Sequence, residues 1–343
     1  MTTSEKPARP RNVTLKDVAA LAGVSIATAS KALNGRGYVH PQTRERVVEA
    51  AKKVSFTPNS LARGLLAGRT GTVGLLTNDL VGRFSIPVLM GAEDAFGTGK
   101  MSVLLCDARG DAIRESYHLQ ALLARRVDGL IVVGSSTDPR PSLGHDLPVP
   151  VVYAYGPSQD PRDVSVVPDN VAGAALAIDH LLSLGRRNIA HITGQEGYLA
   201  AQDRAAGASK RLAEEGLALA GGRVLYGDWS EAWGRSAASA LIEQNPTVDA
   251  IFCGNDQIAR GAIDAIRDRG LSVPGDVAVI GFDDWQVVTT GSRPQLSSID
   301  MDLETLGRTA AQRLFAAIDG SEGSGVEHLP CRLVVRGSTM DGA

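Results

Sequence analysis

Aromatic and hydrogen-bonding side chains occur together just after several short apolar runs of this sequence. Aromatic residues make up only 4% of the 343 residues, so rings beside polar residues stand out. The rings in such positions are Phe84, Tyr155, Trp229 and Trp285, and the polar residues near them are Arg204, Asn255 and Asp283. A flat ring can cover the C–H face of a polyol while a guanidinium and a carboxylate hold its hydroxyls. The set indicates a site for a small polar ligand.

Motifs for enzyme chemistry are incomplete. The stretch FGTGKM at 96–101 resembles a phosphate loop, but Asp94 stands where the first glycine is required and Met101 replaces the Ser or Thr. A carbohydrate-processing enzyme needs two carboxylates across one cleft. Asp283 and Asp284 are sequence neighbours, and we expect them to point in different directions. We therefore expect no catalytic residues.

The sequence offers no recognisable metal or redox motif. Cys106, Cys253 and Cys331 are too far apart to form a CxxC pair and too few to form a disulfide framework, which fits a reducing compartment. His180 and His191 are interpreted as capped or exposed surface residues rather than as zinc ligands. We expect neither a cofactor nor a bound metal.

Short β-branched runs alternate with segments of helical length after residue 71, which predicts parallel sheets with helices on both faces. The predicted strands include 72–77, 102–106, 129–133, 149–153, 188–193, 250–253 and 277–281. Because roughly 270 residues exceed one open sheet of ordinary size, we predict two doubly wound α/β subdomains. A ligand cleft is then expected between the carboxyl ends of their strands.

The amino-terminal part of the chain predicts a small all-α unit. Apolar residues at helical spacing indicate a first helix over 15–22, and Gly23 supplies a tight turn. Ser25 can cap a second helix that continues to Leu33, and a third helix is predicted over 41–54. Two short helices joined by a glycine turn are typical of a helix-turn-helix that binds the DNA major groove.

The segment NSLARGLL at 59–66 is apolar enough to pack, but its two turns are too short for a stable isolated helix. It could fold when a second subunit and DNA are both present, with Leu65 wedged between base steps of the minor groove. An ordinary interdomain linker is the alternative that composition leaves open.

Charge is divided unevenly along the chain. Residues 1–70 carry 12 Lys and Arg against 4 Asp and Glu, a net charge of +8, while the remainder carries 23 against 34, a net charge of −11. A basic head on an acidic body suggests that the head alone meets a polyanion. The first residues lack the apolar core of a signal peptide, and we expect a cytoplasmic protein without membrane contact. A sugar-binding transport protein would need an export signal and would have no use for the basic head.

A series of motifs resembles the lactose and galactose repressor family (LacI/GalR) of bacterial transcription regulators. The motifs are VTLKDVAALAGVSIATASKALNG from Val13, DGLIVVGSS at 128–136, HLLSLGRRNIAHITG at 180–194, DRAAG at 203–207, FCGNDQIARGAIDAIRDRGLSVPGDVAVIGFDD at 252–284 and LVVRGST at 333–339. The resemblance covers essentially residues 13–340. It implies a DNA-binding head and a body shaped like a periplasmic sugar-binding protein.

The resemblance also implies particular site residues. Those expected to contact or order operator DNA are Thr14, Ser25, Ile26, Ala27, Thr28, Ser30, Lys31, Asn34, Asn59, Arg63 and Leu65. Those expected to line the effector cleft are Phe84, Ser135, Tyr155, Arg204, Trp229, Asn255 and Asp283. The sequence departs from the family pattern in two places that matter here: Lys31 stands where Arg is usual, and Phe84 is a single aromatic residue where many relatives have two.

The expected domains follow from the same resemblance. They are a disordered arm over 1–12, a helix-turn-helix over 13–58, a hinge helix and linker over 59–70, and a body over 71–343. Within the body we expect one subdomain over about 71–166 and 297–325 and the other over about 167–296 and 326–340.

The function that the resemblance implies is that of a homodimeric repressor of carbohydrate uptake or catabolism genes. A small sugar-like effector bound between the two body subdomains would change its affinity for double-stranded operator DNA. A repressor of the same family that is activated by a purine or another corepressor is the alternative.

Overall fold

The chain forms two compact units, Met1–Thr70 and Gly71–Ala343. The computed structural model describes residues 13–34, 38–54, 56, 69–79, 83–97 and 101–340. The predicted arm over 1–12 and residues 59–68 of the predicted hinge, including Asn59, Arg63 and Leu65, lie outside the described residues.

The first unit contains the three predicted helices, with ends within one residue of the predicted positions. They are α1 Leu15–Ala22, α2 Ile26–Asn34 and α3 Pro41–Lys53. Local chemistry accounts for the turn between α1 and α2. Gly23 adopts a left-handed conformation with φ 63°, which glycine reaches without steric penalty. The Ser25 hydroxyl then accepts a hydrogen bond from the Thr28 N–H at 3.1 Å, which caps α2 as predicted.

A small apolar core holds these three helices together. Val18 of α1, Ala29 of α2 and Val47 of α3 are fully buried in it. Val24 of the turn and Phe56 after α3 pack against its edge. Alanines at the helix contacts let the short helices approach closely, so a unit of this size can bury its apolar faces.

The second unit contains two six-stranded sheets. The strands are β1 Thr72–Thr77, β2 Ser102–Asp107, β3 Gly129–Val133, β4 Val151–Ala154, β5 Val164–Pro168, β6 Ile189–Thr193, β7 Leu225–Tyr226, β8 Ala250–Cys253, β9 Ala278–Phe282, β10 Ser297–Asp300, β11 Gly325–Leu329 and β12 Arg332–Val334. The first sheet has the order β11-β5-β4-β3-β1-β2 and the second β12-β10-β9-β8-β6-β7. Strand pairs are parallel except that of β10 with β12. The predicted doubly wound fold class is confirmed, and all seven predicted strands are present with ends within two residues.

Helices alternate with the strands, as the sequence pattern predicts. They are α4 Ser85–Phe96, α5 Ala112–Ala124, α6 Asn170–Ser183, α7 Leu199–Glu214, α8 Glu231–Gln244, α9 Asp256–Asp268, α10 Gln286–Thr289 and α11 Leu303–Ile318, with a short 3₁₀ turn at Ala220–Gly222. Strands β3, β6, β8 and β9 are buried along their whole length. Such strands appear in sequence as continuous apolar runs because both faces of the sheet are covered.

The membership of two late strands corrects the predicted subdomain boundaries. Strand β10 pairs with β9 in the second sheet, although residues 297–300 were assigned to the first subdomain. Strand β11 pairs in register with β5 of the first sheet, although residues 326–329 were assigned to the second. Pairing of β11 with β5, some 160 residues earlier in the chain, leaves no local signal, which explains the misassignment of β11. The boundary near β10 was misplaced by the length of that one strand, which pairs with the strand just before it in the chain.

The backbone therefore passes between the two sheets three times. The crossings lie between β5 and α6, between β10 and α11, and between β11 and β12. The first and third crossings are joined directly, because the Asp169 N–H donates to the Leu329 carbonyl at 2.8 Å. These short segments form the hinge between the two subdomains.

Glycine allows close helix packing in both subdomains. In the first, Gly91 of α4 lies against α11: a Cβ on Gly91 would come within 1.8 Å of the Glu304 carbonyl oxygen. In the second, a Cβ on Gly261 of α9 would come within 2.0 Å of the Glu231 carbonyl oxygen of α8. In each helix pair the backbones are therefore closely packed.

Candidate functional site

One face of helix α2 in the head is exposed to solvent, and it carries both polar and apolar side chains. Ile26, Ala27 and Lys31 are exposed, whereas Ala29 and Ala32 of the same helix are buried in the core. Residues at i, i+1, i+4 and i+5 share a helix face, so the predicted major-groove residues form one continuous surface with Ser30 at its edge. The side chain of Asn34 lies outside the described part of the chain.

The polar residues at the helix starts have structural partners. Ser25 and Thr28 are joined through their hydroxyls at 2.9 Å, and Thr14 donates through its N–H and its hydroxyl to the Asp17 carboxylate at 2.8 and 2.7 Å. Both helix starts are therefore fixed, and both Thr14 and Ser25 remain exposed. A helix amino terminus with exposed hydroxyls suits a phosphate.

In the body, six of the seven predicted effector residues meet at one cavity of about 230 Å³ between the two sheets. The residues from the predicted set are Phe84, Ser135, Tyr155, Arg204, Trp229 and Asp283, and those that the sequence interpretation missed are Arg83, Ser136, Thr137, Tyr198 and Ala200. Most of them follow the carboxyl ends of strands or begin the next helix, where open α/β sheets place their ligands.

Arg204 is the most thoroughly fixed polar side chain of the cavity. It lies on α7 with only 2% of its surface exposed. Its Nε donates to Asn170 Oδ1 at 2.9 Å, and its Nη1 donates to the Gly254 carbonyl oxygen. The guanidinium carbon lies 3.7 Å from the centre of the Phe282 ring, which adds a cation–π contact. Because Nε and Nη1 are held in this way, the guanidinium has a fixed position, and Nη2 makes only longer contacts, to Met301 Sδ at 3.8 Å and to Asp283 Oδ1 at 3.4 Å.

Asp283 lies between two guanidinium groups. Its Oδ1 is 3.4 Å from Arg204 Nη2, and its Oδ2 is 2.5 Å from Arg83 Nη2. The carboxylate is almost fully buried, and its backbone has φ 99°, a conformation that non-glycine residues rarely adopt. Strain at a non-glycine residue is held in place by surrounding contacts and is typical of functional sites.

Arg83 joins the two subdomains. It lies just before α4 of the first subdomain, yet its Nη1 donates to Gln257 Oε1 of the second at 3.2 Å, in addition to its contact with Asp283. A further contact crosses the cleft from Asp138, whose Oδ1 accepts from the Leu199 N–H at 2.8 Å. The structure therefore has a closed cleft.

The aromatic rings of the cavity differ in how much of their surface other side chains cover. Phe84 stacks on Tyr155, with ring centres 4.4 Å apart and an angle of 20° between the planes. The Arg83 guanidinium carbon lies over Phe84 and over Trp285, at 5.1 Å from each ring centre. Phe84 is thus engaged by Tyr155 and by Arg83, and it offers little free ring surface.

Trp229 is less closely covered than Phe84, because the Arg204 guanidinium carbon lies 5.9 Å from its ring centre. Tyr198 meets it edge to face, with centres 6.1 Å apart, and Gly194 lies directly against it. A Cβ on Gly194 would come within 2.0 Å of the indole ring. Gly194, the first residue after β6, therefore sets the position of Trp229.

Replacing Gly194 by alanine is expected to displace Trp229 and to weaken effector binding by at least tenfold, because one methyl group would overlap the indole. Gly197 in the same loop is the matched control, since a Cβ there would meet no atom within 4 Å. Calorimetric titration of both variants with the effector checks this. Equal affinities in the two variants would remove Trp229 from the binding surface.

Asn255 has a different place from the one expected. It begins α9 as its N-cap, and its Oδ1 accepts from the Ile258 N–H at 2.8 Å. The side chain is fully buried and does not belong to the cavity lining. Its Nδ2 has no hydrogen-bond partner within the described residues, so its role as an effector ligand stays a prediction.

The neighbouring carboxylate of Asp256 fixes the loop that carries Asp283. Its Oδ1 accepts from Ser298 Oγ at 2.5 Å, and its Oδ2 accepts from the Trp285 N–H at 2.6 Å. Burial raises the pKa of Asp256 well above the ordinary range, and the charge of Asp283 raises it further. Asp256 therefore acts as a buried support for the 283–285 turn.

Asp283 and Asp284 point in different directions, as predicted. Asp284 pairs with Arg336, whose Nη1 and Nη2 lie 2.7 and 3.3 Å from its two carboxylate oxygens. This fork-to-fork pair joins the 333–339 motif to the start of the 283–285 turn. The two carboxylates do not face each other across the cavity.

The two histidines correct the sequence interpretation, because both are buried. His180 Nε2 lies 2.9 Å from Thr339 Oγ1. His191 Nδ1 lies 2.9 Å from the Phe252 carbonyl oxygen and donates to it. Burial lowers the pKa of His191 to about 4, so the ring is neutral near pH 7 and is a core residue of β6.

No helix in the described ranges is both long enough and apolar enough to cross a membrane.

Comparisons with known proteins agree with the two-unit architecture. Residues 14–59 match the model of the bacterial regulatory proteins of the lacI family, and residues 178–339 match that of a periplasmic binding protein-like domain. The chain is 34% identical over 332 residues to catabolite control protein A of Priestia megaterium, covering 96% of this chain and 99% of that protein.

Solved structures match along nearly the whole chain. A lac repressor dimer bound to operator and the anti-inducer ONPF superposes with a TM-score of 0.77 at 29% identity, covering 96% of this chain and 100% of that one. A complex of the transcriptional regulator CelR with cellobiose superposes with a TM-score of 0.64 at 30% identity, covering 95% and 99%.

Proposed function

Because the chain belongs to the lacI family of bacterial regulatory proteins, we propose that it is a transcriptional repressor whose hold on operator DNA is set by a small sugar-like effector in the cavity around Asp283. The observation that carries the proposal is the joint presence of a basic helix-turn-helix with an exposed second helix and a buried, polar, ring-lined cavity between two hinged subdomains. A helix-turn-helix does not by itself imply a ligand cavity, and a ligand cavity does not by itself imply a DNA-binding head.

The head supplies the DNA-binding surface. Ile26 and Ala27 can make only apolar contacts, such as with a thymine methyl group, while Lys31 offers a point charge to a base or a phosphate. Thr14, Ser25 and Thr28 suit backbone phosphates. A homodimer would place two such heads on successive half-sites of a nearly symmetric operator, with paired Leu65 side chains opening its centre.

The body supplies the switch. An effector that contacts Asp283, Arg204 and Trp229 contacts side chains of the second subdomain, whereas Arg83 and Thr137 belong to the first. Binding would therefore favour one relative position of the two subdomains about the three crossings. A differential binding energy of about 1–3 kcal/mol gives a 5- to 150-fold change in operator affinity, which suffices for control of a promoter.

The proposal is tested by selecting duplexes from a random library with the full chain. We expect enrichment of a symmetric site and a steep fall in affinity with salt, with a slope of roughly −0.9 per phosphate neutralised. A screen of monosaccharides, sugar acids, sugar phosphates and purines should then yield a compound that changes affinity for the selected site. Absence of any preferred symmetric sequence would contradict the proposal.

A further inference from the structure

The cavity holds more positive than negative charge. Arg83 and Arg204 both approach the single carboxylate of Asp283, at 2.5 and 3.4 Å. The side chain of Arg83 is 14% exposed, that of Arg204 is 2% exposed and that of Asp283 is 3% exposed. A net charge in a buried cavity lowers the stability of the protein, because neither water nor salt screens it effectively.

Three nearby carboxylates lie outside the cavity lining, and each has contacts of its own. Asp256 stands behind Asp283, and its two oxygens accept hydrogen bonds from Ser298 Oγ and the Trp285 N–H. Asp284 is neutralised by Arg336. Asp138 directs Oδ1 to the Leu199 N–H, and it is not part of the cavity lining.

Four buried polar atoms of the cavity lining have no hydrogen-bond partner among the described residues, and two of them, the Asp283 oxygens, are in ion pairs with Arg83 and Arg204. Arg83 Nε and Thr137 Oγ1 are both buried, and neither has a hydrogen-bond partner within the described residues. An unsatisfied buried donor lowers stability by about 1–3 kcal/mol, more for a charged group. A ligand oxygen that accepts from both would remove this penalty.

The rings restrict the shape of the ligand. Phe84 is engaged by Tyr155 and by the Arg83 guanidinium, so a flat heterocycle cannot be sandwiched there. Trp229 is less closely covered, with the Arg204 guanidinium carbon 5.9 Å from its ring centre, and it offers a single platform for the C–H face of a sugar. The cavity volume of about 230 Å³ lies below the roughly 300–1,000 Å³ of pockets for drug-sized ligands, which favours one sugar unit.

We propose that the effector is a monosaccharide-sized sugar acid, whose carboxylate is held by Arg83 and Thr137 while its hydroxyls meet Asp283 and Arg204. Arg83 is then a specificity-determining residue that distinguishes an acid from a neutral sugar. This inference rests on the proposed function, because it names the ligand class of the same cavity.

The test compares matched ligands by calorimetric titration of the full chain. Glucuronate and galacturonate are set against glucose and galactose, which share their rings, and against glucuronamide, which keeps the shape without the charge. We expect at least one acid to bind tenfold or more tightly than its neutral counterparts. Neutral sugars that bind as tightly as the acids, or no binding of either acid at millimolar concentration, would overturn the inference.

A variant pair assigns the effect to Arg83. Arg83→Gln should weaken binding of the acid by at least tenfold more than it weakens binding of the neutral sugars, because only the acid loses the partner of its carboxylate. The exposed Arg109, whose nearest carboxylate is Asp107 at 3.6 Å, gives the control Arg109→Gln, which should bind the acid like the parent chain. Unchanged acid affinity in Arg83→Gln would overturn the role of Arg83.

Two further measurements distinguish failure of the sugar-acid inference from failure of the proposed function. Glucose 6-phosphate binding more tightly than either acid would overturn the carboxylate assignment in favour of a phosphate. A neutral sugar that alone shifts affinity for the selected operator would refute the sugar-acid inference and leave the proposed function standing. Failure to select any symmetric duplex would instead refute the proposed function, whatever the titrations give.

Discussion

Replacing Asp283 by alanine is expected to abolish the response of operator binding to effector and to lower the free energy of unfolding by about 3–5 kcal/mol. The reason is that the substitution leaves Arg83 and Arg204 facing each other in the cavity without their shared carboxylate. Removing one partner of a buried ion pair lowers stability by more than the intact pair contributes, because the other charge is left buried and unpaired. Operator binding with and without effector, together with chemical denaturation, measures both effects.

Two companion variants make the result interpretable. Asp283→Asn keeps the shape of the side chain and should also lose the response, which separates loss of charge from loss of packing. Asp284→Ala removes the neighbouring carboxylate that pairs with Arg336, and it should destabilise the chain modestly while keeping the response. A normal effector response in a folded Asp283→Ala protein would exclude this residue from the site.

Replacing Gly261 by alanine is expected to lower the free energy of unfolding by about 3 kcal/mol, the upper part of the usual range for an added methyl group in a packed core. The new Cβ would lie 2.0 Å from the Glu231 carbonyl oxygen. Backbone cannot rotate away as a flexible side chain can, so α8 and α9 must separate along their contact. Denaturant unfolding monitored by tryptophan fluorescence reports the change through Trp229 and Trp233.

Gly197→Ala serves here as the neutral comparison, because open space surrounds that position. A Gly261→Ala protein as stable as Gly197→Ala would mean that the two helices can separate without loss. The backbone contact would then not make the helix pair rigid.

Local sequence chemistry was sufficient to predict the head. The left-handed Gly23 and the Ser25 cap act within four residues, and these features locate the end of α1 and the start of α2. The apolar runs likewise located the buried strands. The pairing of β11 with β5 depends on contact between distant segments, and this is why the place of β11 in the first subdomain was not anticipated.

The cavity was predicted in part for a related reason. Position after a strand was enough to place Phe84, Tyr155 and Asp283 together. Arg83 was missed because an arginine before a helix usually lies in solvent, and only the closed arrangement of the subdomains brings it to Asp283. Thr137 follows β3 closely enough that the strand-end rule could have found it. His191 was misjudged because alternation of polar and apolar residues gives no information in a strand buried on both faces.

The three crossings determine which parts of this chain can be exchanged as a unit. The head occupies one uninterrupted stretch, so a recombination at a single junction could give the body a new DNA target. The cavity wall is assembled from six separated stretches, between Arg83 and Asp283, that belong to two interleaved lobes. A change of effector must therefore arise by point substitutions at those stretches, with positions such as 83 among the first to alter the chemistry that is recognised.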